Sequence, residues 1–478
     1  MDLHVTLHGR TDLSGQIYRQ IRAAILDGRL PAGERLPSTR DLAAQLGVSR
    51  KTTLDVFERL LAESFLLSKP GHGTFVADGP QRMPQTQPAP QQAQPSPLWQ
   101  AMPPAQALQP RSTHPHDFMG GVTDKTRFPF EPWRRCMNHA LRLQARGRGA
   151  YHDPAGEQEL RLGISRYLGF NRAVASQWQD VIVTQGAQQA LDLLARVVLQ
   201  PGDIVAMEEP GYPPARACFT AMGARVVSVP VDAHGMVVDA LPAQARLVYV
   251  TPSHQFPLGM PLSLDRRIAL LEWAQRTGAV IAEDDYDGEF RFEGRPLDAL
   301  KSLDRAGLVA YVGTFSKTIF PELRVGYLVP PQSLYGALVK AKQLVDWHSA
   351  SLTQAALARF MLDGDFARHL RRSHKLYEAR RAMLIRHLTG PLAPWFTPIV
   401  AMAGIHMTAL LKPGIDEAAV IASGDAVQIG LYGTQRFYAE SPPQPALLFG
   451  YGEIDVAQID EALTRLATAL RQQVPVVT

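Results

Sequence analysis

A low-complexity segment divides this 478-residue chain into two parts that we expect to fold separately. From Gln81 to His116, half of the residues are Pro or Gln, and charged residues are almost absent. Such a segment cannot bury enough apolar surface to offset the entropy lost on ordering, so it predicts a linker that is semi-extended where Pro is dense. We therefore expect an N-terminal domain (1–78), a Pro/Gln-rich linker (79–116) and a large domain (117–478).

The composition of the whole chain excludes several protein classes. It is 46% hydrophobic and 20% charged, which is typical of a globular protein. The formal net charge of +4 permits a nucleic-acid partner without arguing for one. The chain has only two cysteines, Cys136 and Cys218, which lie far apart in the sequence. This pattern indicates no disulfide framework and fits a reducing compartment. No apolar run approaches the roughly 18 residues of a membrane span, so we expect a soluble cytoplasmic protein without a membrane partner.

The N-terminal part carries the pattern of short helices joined by a glycine turn. A first helix with apolar residues at helical spacing ends near Gly28. Ser38 caps the next helix, with Asp41 completing a capping box, and Gly47 ends it. Ser49 caps the helix that follows, whose predicted inward stripe is Leu54, Phe57, Leu60 and Leu61. The pattern predicts a helix-turn-helix, and "SFLLSKPGHGTFVAD" predicts a two-stranded wing behind it.

The second helix of such a pair enters the DNA major groove by its N-terminal end. Here that end is Ser49-Arg50-Lys51-Thr52, which offers two cations, two hydroxyls and free amides. The pattern alone leaves open a small helical interaction module with a charged, solvated face.

The residues of this part carry a resemblance. "LPSTRDLAAQLGVSRKTTLDVFERL" followed by "GHGTFV" resembles the winged-helix domain of GntR-type bacterial regulators, over residues 11–78. The resemblance implies DNA contacts from Arg40, Arg50 and Thr52, and from the wing residues His72, Gly73 and Thr74.

The large part alternates short apolar runs with helical stretches. The runs are "VIVT", "DIVAM", "RVVSVPV", "RLVYVT", "AVIAEDDY", "LVAYVGT" and "VGYLVP". Buried β runs separated by helices predict an α/β domain with a mostly parallel sheet. Ligands bind such sheets beyond the carboxyl ends of the strands, which is where the polar motifs lie.

Four of these motifs are candidates for ligand binding. In "TQGAQQAL", free amides of Ala187 and Gln188 suit an anion, although many strand-to-helix turns look the same. In "EEPGYPP", Tyr212 either stacks on a flat ring or simply packs. "TPSHQFPLG" puts His254 at another strand end. In "VIAEDDYDGEF", three consecutive carboxylates follow a buried strand and need a cation, either a metal or a protonated heterocyclic nitrogen. Nearby residues show no His/Cys ligand spacing, so we predict no metal site.

Lys317 follows an apolar strand and lies among small hydroxyl residues in "VGTFSKTIFPELRVGY". Most lysines are solvated surface groups, but desolvation at such a position makes an amine a nucleophile towards carbonyls. Together these motifs match the functional groups of pyridoxal 5′-phosphate (PLP). They offer an amine for an aldehyde, a carboxylate for a pyridinium, a phenol, a stacking ring and an anion site that includes Arg324.

This constellation resembles the fold-type I aminotransferases, over residues 117–478. With the winged helix before it, the chain looks like the MocR (GabR-like) subfamily of GntR regulators. The resemblance implies that Lys317 forms the Schiff base, that Asp284 pairs with the pyridine nitrogen, that Tyr286 contacts the ring hydroxyl and that Tyr212 stacks. It implies a phosphate site of Ala187, Gln188, Thr314, Ser316 and Arg324. It also implies head-to-tail, domain-swapped homodimers and paired half-sites on double-stranded DNA.

Two departures from aminotransferases bear on the effector. Phe256 stands where their "NPTG" loop has asparagine, and Leu448 stands where we align their substrate-binding arginine. Without that bidentate clamp an α-amino acid is held less firmly. Arg436 replaces it or is an ordinary surface residue, and we place His254 with it on the effector side. The prediction is a PLP-dependent regulator that senses an amine, an amino acid or PLP itself. The alternatives are an active aminotransferase and a DNA-binding protein whose large domain is only a scaffold.

Overall fold

The computed structural model describes residues 5–9, 11–78, 93–102, 112–293, 298–440 and 443–474. The chain divides into two compact units, Met1–Pro95 and Ser96–Thr478, which are described separately. Among the described residues, no helix combines the length and apolarity that crossing a membrane requires.

The first unit is a three-helix bundle with a two-stranded wing. Its elements are α1 (Leu13–Leu26), α2 (Thr39–Leu46), α3 (Arg50–Ala62), β1 (Leu66–Lys69) and β2 (Gly73–Val76). The strands pair in antiparallel register, from Leu66 opposite Val76 to Lys69 opposite Gly73. Ser38 and Ser49 cap α2 and α3 by accepting from the amides of Asp41 and Thr52. The predicted caps and wing are therefore present.

The predicted inward stripe of α3 is partly wrong. Leu54 is 44% exposed, whereas Thr53 and Val56 are buried with Phe57 and Leu60. The hydroxyl of Thr53 can enter the core because it donates to the carbonyl oxygens of Thr39, at 2.8 Å, and Arg50, at 3.0 Å. A hydrogen-bonded threonine thus takes the core position one residue before the leucine, since a buried hydroxyl is tolerated when it is satisfied.

The second unit contains twelve further helices and thirteen further strands among its described residues. The helices are α4 (Pro97–Ala101), α5 (Phe130–Arg146), α6 (Gln158–Arg172), α7 (Ala187–Val198), α8 (Pro213–Ala221), α9 (Leu264–Thr277), α10 (Leu300–Leu303), α11 (Gln332–Asp346), α12 (Ser351–Leu362), α13 (Asp365–Thr389), α14 (Glu417–Ala426) and α15 (Val456–Gln473). The strands are β3 (His116–Asp117), β4 (Ile182–Thr184), β5 (Ile204–Glu209), β6 (Arg225–Asp232), β7 (Gly235–Met236), β8 (Ala245–Val250), β9 (Val280–Asp285), β10 (Val309–Thr314), β11 (Gly326–Val329), β12 (Phe396–Ile399), β13 (His406–Leu411), β14 (Ile429–Gly430) and β15 (Ala446–Gly450).

An eight-stranded sheet forms the centre of this unit. Its strand order is β4-β11-β10-β9-β8-β5-β6-β7. The five strands from β10 to β6 are parallel neighbours, while β11 runs antiparallel to both of its neighbours and β7 to β6. The predicted α/β domain with a mostly parallel sheet is confirmed.

Helices cover both faces of the sheet, because alternate residues of each strand point to opposite sides. On β10, Ala310 and Val312 join the core under α7, α8 and α11. Val309 and Tyr311 point the other way, into the cores under α9 and under α5, α6 and α12. The strands are thus buried on both sides, which explains their continuous apolar runs.

The C-terminal part adds a smaller sheet of β12, β13 and β15 with its own core, against which α13, α14 and α15 pack. Separately, β14 pairs in parallel with β3, so His116, placed in the linker above, lies in a strand. Within the same linker, Pro97–Ala101 forms the short helix α4. The predicted linker at residues 79–92 and 103–111 lies outside the described residues.

A candidate cofactor site and a candidate DNA interface

A cavity of about 460 Å³ opens at the carboxyl ends of β8, β9 and β10. It is reached by the first turn of α7 and by residues of the C-terminal sheet. We call it the Lys317 cavity, and its lining includes Gly120, Gly121, Ala187, Gln188, Tyr212, Tyr249, Phe256, Asp284, Tyr286, Asp287, Thr314, Ser316, Lys317, Pro321, Arg324, Ile405, His406, Arg436, Phe437 and Leu448. The whole predicted cofactor set is therefore gathered around one space.

Lys317 lies in the turn after β10 with its amine inside the cavity. Its Nζ donates to the carbonyl oxygen of Gly121 at 2.6 Å. A Cβ on Gly121, where φ is +78°, would come within 2.9 Å of that nitrogen, so glycine leaves room for the amine. Burial lowers the pKa of Lys317 below its ordinary value, although Asp287 and Asp284 oppose this shift. A lowered pKa raises the fraction of neutral, nucleophilic amine.

The three consecutive carboxylates of β9 face different surroundings because strand residues alternate. Glu283 accepts from the amides of Leu300, at 2.7 Å, and Lys301, at 2.8 Å. Asp285 pairs with Arg172 at 2.5 Å and accepts from a tyrosine hydroxyl. Only Asp284, between them, lines the Lys317 cavity. The two flanking acids serve the fold, which leaves one carboxylate for a ligand.

Asp284 is a buried acid with spare hydrogen-bonding capacity. Its Oδ2 accepts from the hydroxyl of Tyr249 at 2.8 Å. Its Oδ1 is buried and has no hydrogen-bond partner among the described residues. Burial raises its pKa to about 7, since the charged form loses hydration. Such an acceptor suits a cationic N–H group delivered by a ligand.

The anion end of the cavity combines a helix terminus with hydroxyls and a guanidinium. Ala187 begins α7, which has twelve residues, and free amides of a first helical turn attract anions. Thr314 donates to the Ser316 hydroxyl at 3.0 Å. Arg324 donates to the carbonyl of Gln185 at 2.9 Å, and a Cβ on Gly186 would lie 3.0 Å from its guanidinium. This end can hold a phosphate group.

Two tyrosines line the walls of the cavity. Tyr212, at the N-cap of α8, contacts the Phe256 ring edge-on at 5.5 Å between centroids, and burial raises its pKa to about 12. The hydroxyl of Tyr286 lies 3.0 Å from Nδ1 of His254. Both phenols remain protonated near neutral pH, so each can donate a hydrogen bond.

The two residues predicted on the effector side fall in different places. Arg436 lines the cavity with its guanidinium 4.6 Å from the Phe437 ring centre, and burial lowers its pKa. His254 is 1% exposed and lies behind Tyr286, away from the lining. Leu448 fills the space beside Gly120, where a Cβ would come within 2.4 Å of it. The position that we align with the substrate arginine is thus apolar.

Several lining residues were missed by the sequence analysis. Tyr249 and Asp287 have a signal, because both lie at carboxyl ends of predicted strands, as does Lys317. His406 and Ile405 lie at the start of β13, about 90 residues further along the chain, and no local pattern marks them. Burial lowers the pKa of His406 to about 3, so its imidazole is neutral.

The predicted DNA-binding residues lie at the surface of the first unit. Arg40, Arg50 and Lys51 are exposed, and none of them forms an ion pair with another described residue. Ser49 and Thr52 hydrogen-bond each other at 2.8 Å in the cap of α3. Of the remaining three predicted contacts, His72 lies in the wing turn, and Gly73 and Thr74 begin β2.

Two family models match the chain, one on each side of the linker. "Bacterial regulatory proteins, gntR family" matches residues 13–76, and "Aminotransferase class I and II" matches residues 122–422. The probable rhizopine catabolism regulatory protein MocR of Rhizobium meliloti is 37% identical over 95% of this chain and 93% of its own length. The chain belongs to the MocR-type GntR regulators.

A second curated regulator supports this assignment, and a solved aminotransferase structure shares the fold of the large unit. The HTH-type transcriptional regulator TauR of Rhodobacter capsulatus is 36% identical over 97% of both chains. Among solved structures, the α-aminoadipate aminotransferase LysN of Thermus thermophilus, complexed with N-(5′-phosphopyridoxyl)-L-leucine, has a TM-score of 0.68 and 28% identity over 76% of this chain and 93% of its own.

This MocR-type chain is therefore a transcriptional regulator with a fold-type I aminotransferase-like domain, and the regulator prediction is favoured over the active enzyme. The GntR domain implies DNA binding. The aminotransferase-like domain implies PLP binding.

Proposed function

We propose that this regulator binds PLP covalently at Lys317 and that an amine effector acting at this site controls the affinity of the regulator for DNA. PLP supplies an aldehyde that combines with primary amines and a ring that withdraws electrons. Lys317 provides the amine, Tyr212 a stacking ring and Tyr286 a hydrogen bond to the ring hydroxyl. Arg324 binds the phosphate together with Ala187, Gln188, Thr314 and Ser316.

The observation that carries this proposal is the environment of Asp284. A buried carboxylate with an unpartnered oxygen normally costs stability, so it points to a missing ligand group. The protonated ring nitrogen of PLP would satisfy that oxygen with a charge-assisted hydrogen bond. The amine of Lys317 and the anion end of the same cavity match the other two functional groups of PLP.

The effector is a small primary amine that carries an acidic group. Arg436 lines the cavity beside Phe437, and its guanidinium supports recognition of a carboxylate or sulfonate. The aromatic rings of Phe256 and Phe437 give this side of the cavity apolar walls. Because Leu448 is apolar, the proposal places the effector's acid at Arg436 and not at position 448.

On DNA, the proposal assigns α3 to the major groove and the wing to the flanking backbone. Arg40, Arg50 and Lys51 are exposed, form no ion pair within the described part of the chain, and supply cations for phosphates and base edges. Two copies of the chain, associated head to tail, would present two winged helices to paired half-sites. Effector binding changes DNA affinity only by the difference in its affinity for the two conformations of the regulator.

An absorbance spectrum of the full-length protein tests the cofactor. We expect a band at ~420 nm whose absorbing species is trapped by borohydride. Lys317→Ala and Lys317→Arg should abolish this band. Lys301→Gln is the matched control. Lys301 is also largely buried, but its amine donates to the carbonyl of Val309 instead of entering the cavity, so its variant keeps the band. A wild-type protein without the band, even with added PLP, would refute the proposal and favour the scaffold.

DNA binding and turnover then separate the remaining alternatives. We expect a screen of amines to find an effector that changes both the ~420 nm band and the DNA affinity, and we expect Arg436→Gln to weaken its binding. Light scattering in solution measures whether the regulator is a dimer. An effector that perturbs the band but not DNA affinity or geometry would overturn the coupling. Steady turnover of an amino acid with 2-oxoglutarate would favour the aminotransferase.

A further inference from the structure

A buried hydrogen-bonded group lies directly behind Tyr286. Nδ1 of His254 is 2.9 Å and 3.1 Å from the two carboxylate oxygens of Asp287, and 3.0 Å from the hydroxyl of Tyr286. His254 is 1% exposed and Asp287 is 0% exposed. Asp287 also accepts from the amide of Ile405 at 3.3 Å. One imidazole nitrogen is therefore shared between a carboxylate and the phenol that lines the Lys317 cavity.

The backbone makes room for this imidazole at two glycines. A Cβ on Gly404, where φ is +92°, would lie 2.1 Å from Cε1 of His254 and 2.6 Å from the Asp287 carboxylate. A Cβ on Gly259, where φ is +97°, would lie 3.2 Å from Nε2 of the same ring. Both positions have left-handed backbone, which glycine adopts more readily than any other residue. The two glycines leave room for the imidazole of His254 in this one position, so its orientation is fixed by the surrounding backbone.

The contacts determine where the imidazole proton lies. An ionised carboxylate only accepts hydrogen bonds, so Nδ1 facing Asp287 must carry a hydrogen. Nε2 is buried without a partner among the described residues, which costs less for a lone pair than for an N–H group. With its hydrogen on Nδ1, His254 cannot accept from Tyr286. The phenol oxygen then accepts from Nδ1, and its own hydrogen is free to point into the cavity.

We propose that His254, oriented by Asp287, is a positioning residue that keeps the Tyr286 hydroxyl a hydrogen-bond donor into the Lys317 cavity. This inference rests on the proposed function in one respect: the acceptor is the ring oxygen of PLP. His254 then acts through Tyr286 and does not touch the effector. A hydroxyl fixed as a donor stabilises the deprotonated ring oxygen, because it supplies a hydrogen bond to the charged form.

The same side chains do not need a metal ion to explain their closeness. Ligand atoms of His254, Asp287 and His406 lie within 4.8 Å of one another. However, Nδ1 of His254 is already engaged by Asp287 and Tyr286, and Nε2 of His406 faces the carbonyl of Pro257 at 3.3 Å. These hydrogen bonds engage Nδ1 of His254, the carboxylate of Asp287 and Nε2 of His406, and they account for the closeness of the three side chains.

The charged and titratable groups around this phenol come from four parts of the fold, the first of which is β5 with Glu208. Asp284 and Asp287 follow or end β9, Lys317 follows β10 and His406 begins β13. Burial has the largest effect on the pKa of Tyr286 and raises it, and the carboxylates of Asp287, Asp284, Glu208 and Asp285 raise it further. Among these groups, Asp287 is the one that contacts Nδ1 of His254 together with the Tyr286 hydroxyl. The ring of His406 lies 4.6 Å from the ring of His254, so the double variant with Tyr286→Phe is needed to show that a change at His254 acts through Tyr286.

A pH titration of the PLP-loaded, full-length protein tests the proposal. We expect His254→Leu to raise the pH midpoint at which the ~420 nm band is lost by about one pH unit, a tenfold change in proton affinity, because the Tyr286 hydroxyl is no longer held as a donor into the cavity. Tyr286→Phe should raise it at least as much, and the double variant should match Tyr286→Phe. His254→Asn is the matched rescue, since its side-chain amide keeps an N–H group at the position of Nδ1. Unchanged midpoints in His254→Leu, or fully additive shifts, would overturn the proposal.

A second measurement needs no cofactor. Long-range ¹H–¹⁵N spectra of histidine-labelled, PLP-free protein, compared with His254→Asn, identify the tautomer of this ring among 14 histidines. The Nδ1–H tautomer is expected, and the Nε2–H tautomer would refute the proton assignment. If the wild-type protein shows no PLP band, the proposed function fails, while the tautomer still decides the orientation of Tyr286.

Discussion

Replacing Asp284 with asparagine should make the PLP-free protein more stable and its PLP binding weaker. Burial raises the pKa of Asp284 from 3.8 to about 7. At ~1.36 kcal/mol per pKa unit, ionised Asp284 then opposes folding at pH 8 by about 4 kcal/mol. Asparagine carries no charge and can still accept from Tyr249 through its carbonyl oxygen. Its amide cannot replace the charge-assisted bond to the ring nitrogen, which is worth about 2 kcal/mol, or about 30-fold in affinity.

The pH dependence gives this prediction a sign that can be checked. An acid whose folded pKa is raised binds protons more readily in the folded state, so the wild-type protein loses stability as pH rises from about 4 to about 7. Asp284→Asn removes that loss. The gain in stability should therefore be largest at pH 8 and should vanish below about pH 4.

Urea denaturation followed by tryptophan fluorescence provides the assay. All six tryptophans lie after the N-terminal domain, so the signal reports on the large unit. PLP affinity is measured by titrating the ~420 nm band of the same protein. Glu283→Gln is the control, because Glu283 is also buried with a pKa near 7 but accepts from two backbone amides outside the cavity. It should leave PLP affinity unchanged. A destabilised Asp284→Asn protein with wild-type PLP affinity would show that the carboxylate is structural.

Three further predictions concern single contacts. Thr53→Val should destabilise the N-terminal unit by about 1 kcal/mol, because it removes the hydrogen bonds that the buried hydroxyl donates, and Leu54→Ala should cost less because Leu54 is partly exposed. Hydrogen exchange of peptides from α2 and α3 measures both variants, and the reverse order would contradict the corrected stripe. Arg50→Ala should weaken operator binding and lower the salt slope by about one if the contact is a phosphate; unchanged binding would remove α3 from the groove. Gly404→Ala should lower the melting temperature more than Gly414→Ala. Both glycines have left-handed backbone, but a Cβ at Gly404 would clash with the buried imidazole, whereas a Cβ at Gly414 would meet open space. Equal losses would mean that the clash with the imidazole relaxes.

Local patterns in the sequence predicted the elements and several ends of them. The caps at Ser38 and Ser49 depend only on side chains three residues from their amides, so they are legible in the chain. The carboxyl ends of the apolar runs predicted where Lys317, Asp284 and Tyr286 meet, because parallel strands present those ends at one edge.

Only the tertiary structure decided which residues at that edge belong to the cavity. Alternation along β9 separates Asp284 from its two neighbours, but the sequence does not say which face the cavity occupies. The sequence placed His254 at the correct strand end, but the residue lies behind Tyr286, because Gly404 and Gly259 leave space there for its ring. His406 reaches the same place from a different sheet. Contacts between distant segments depend on packing, and local periodicity carries no record of them.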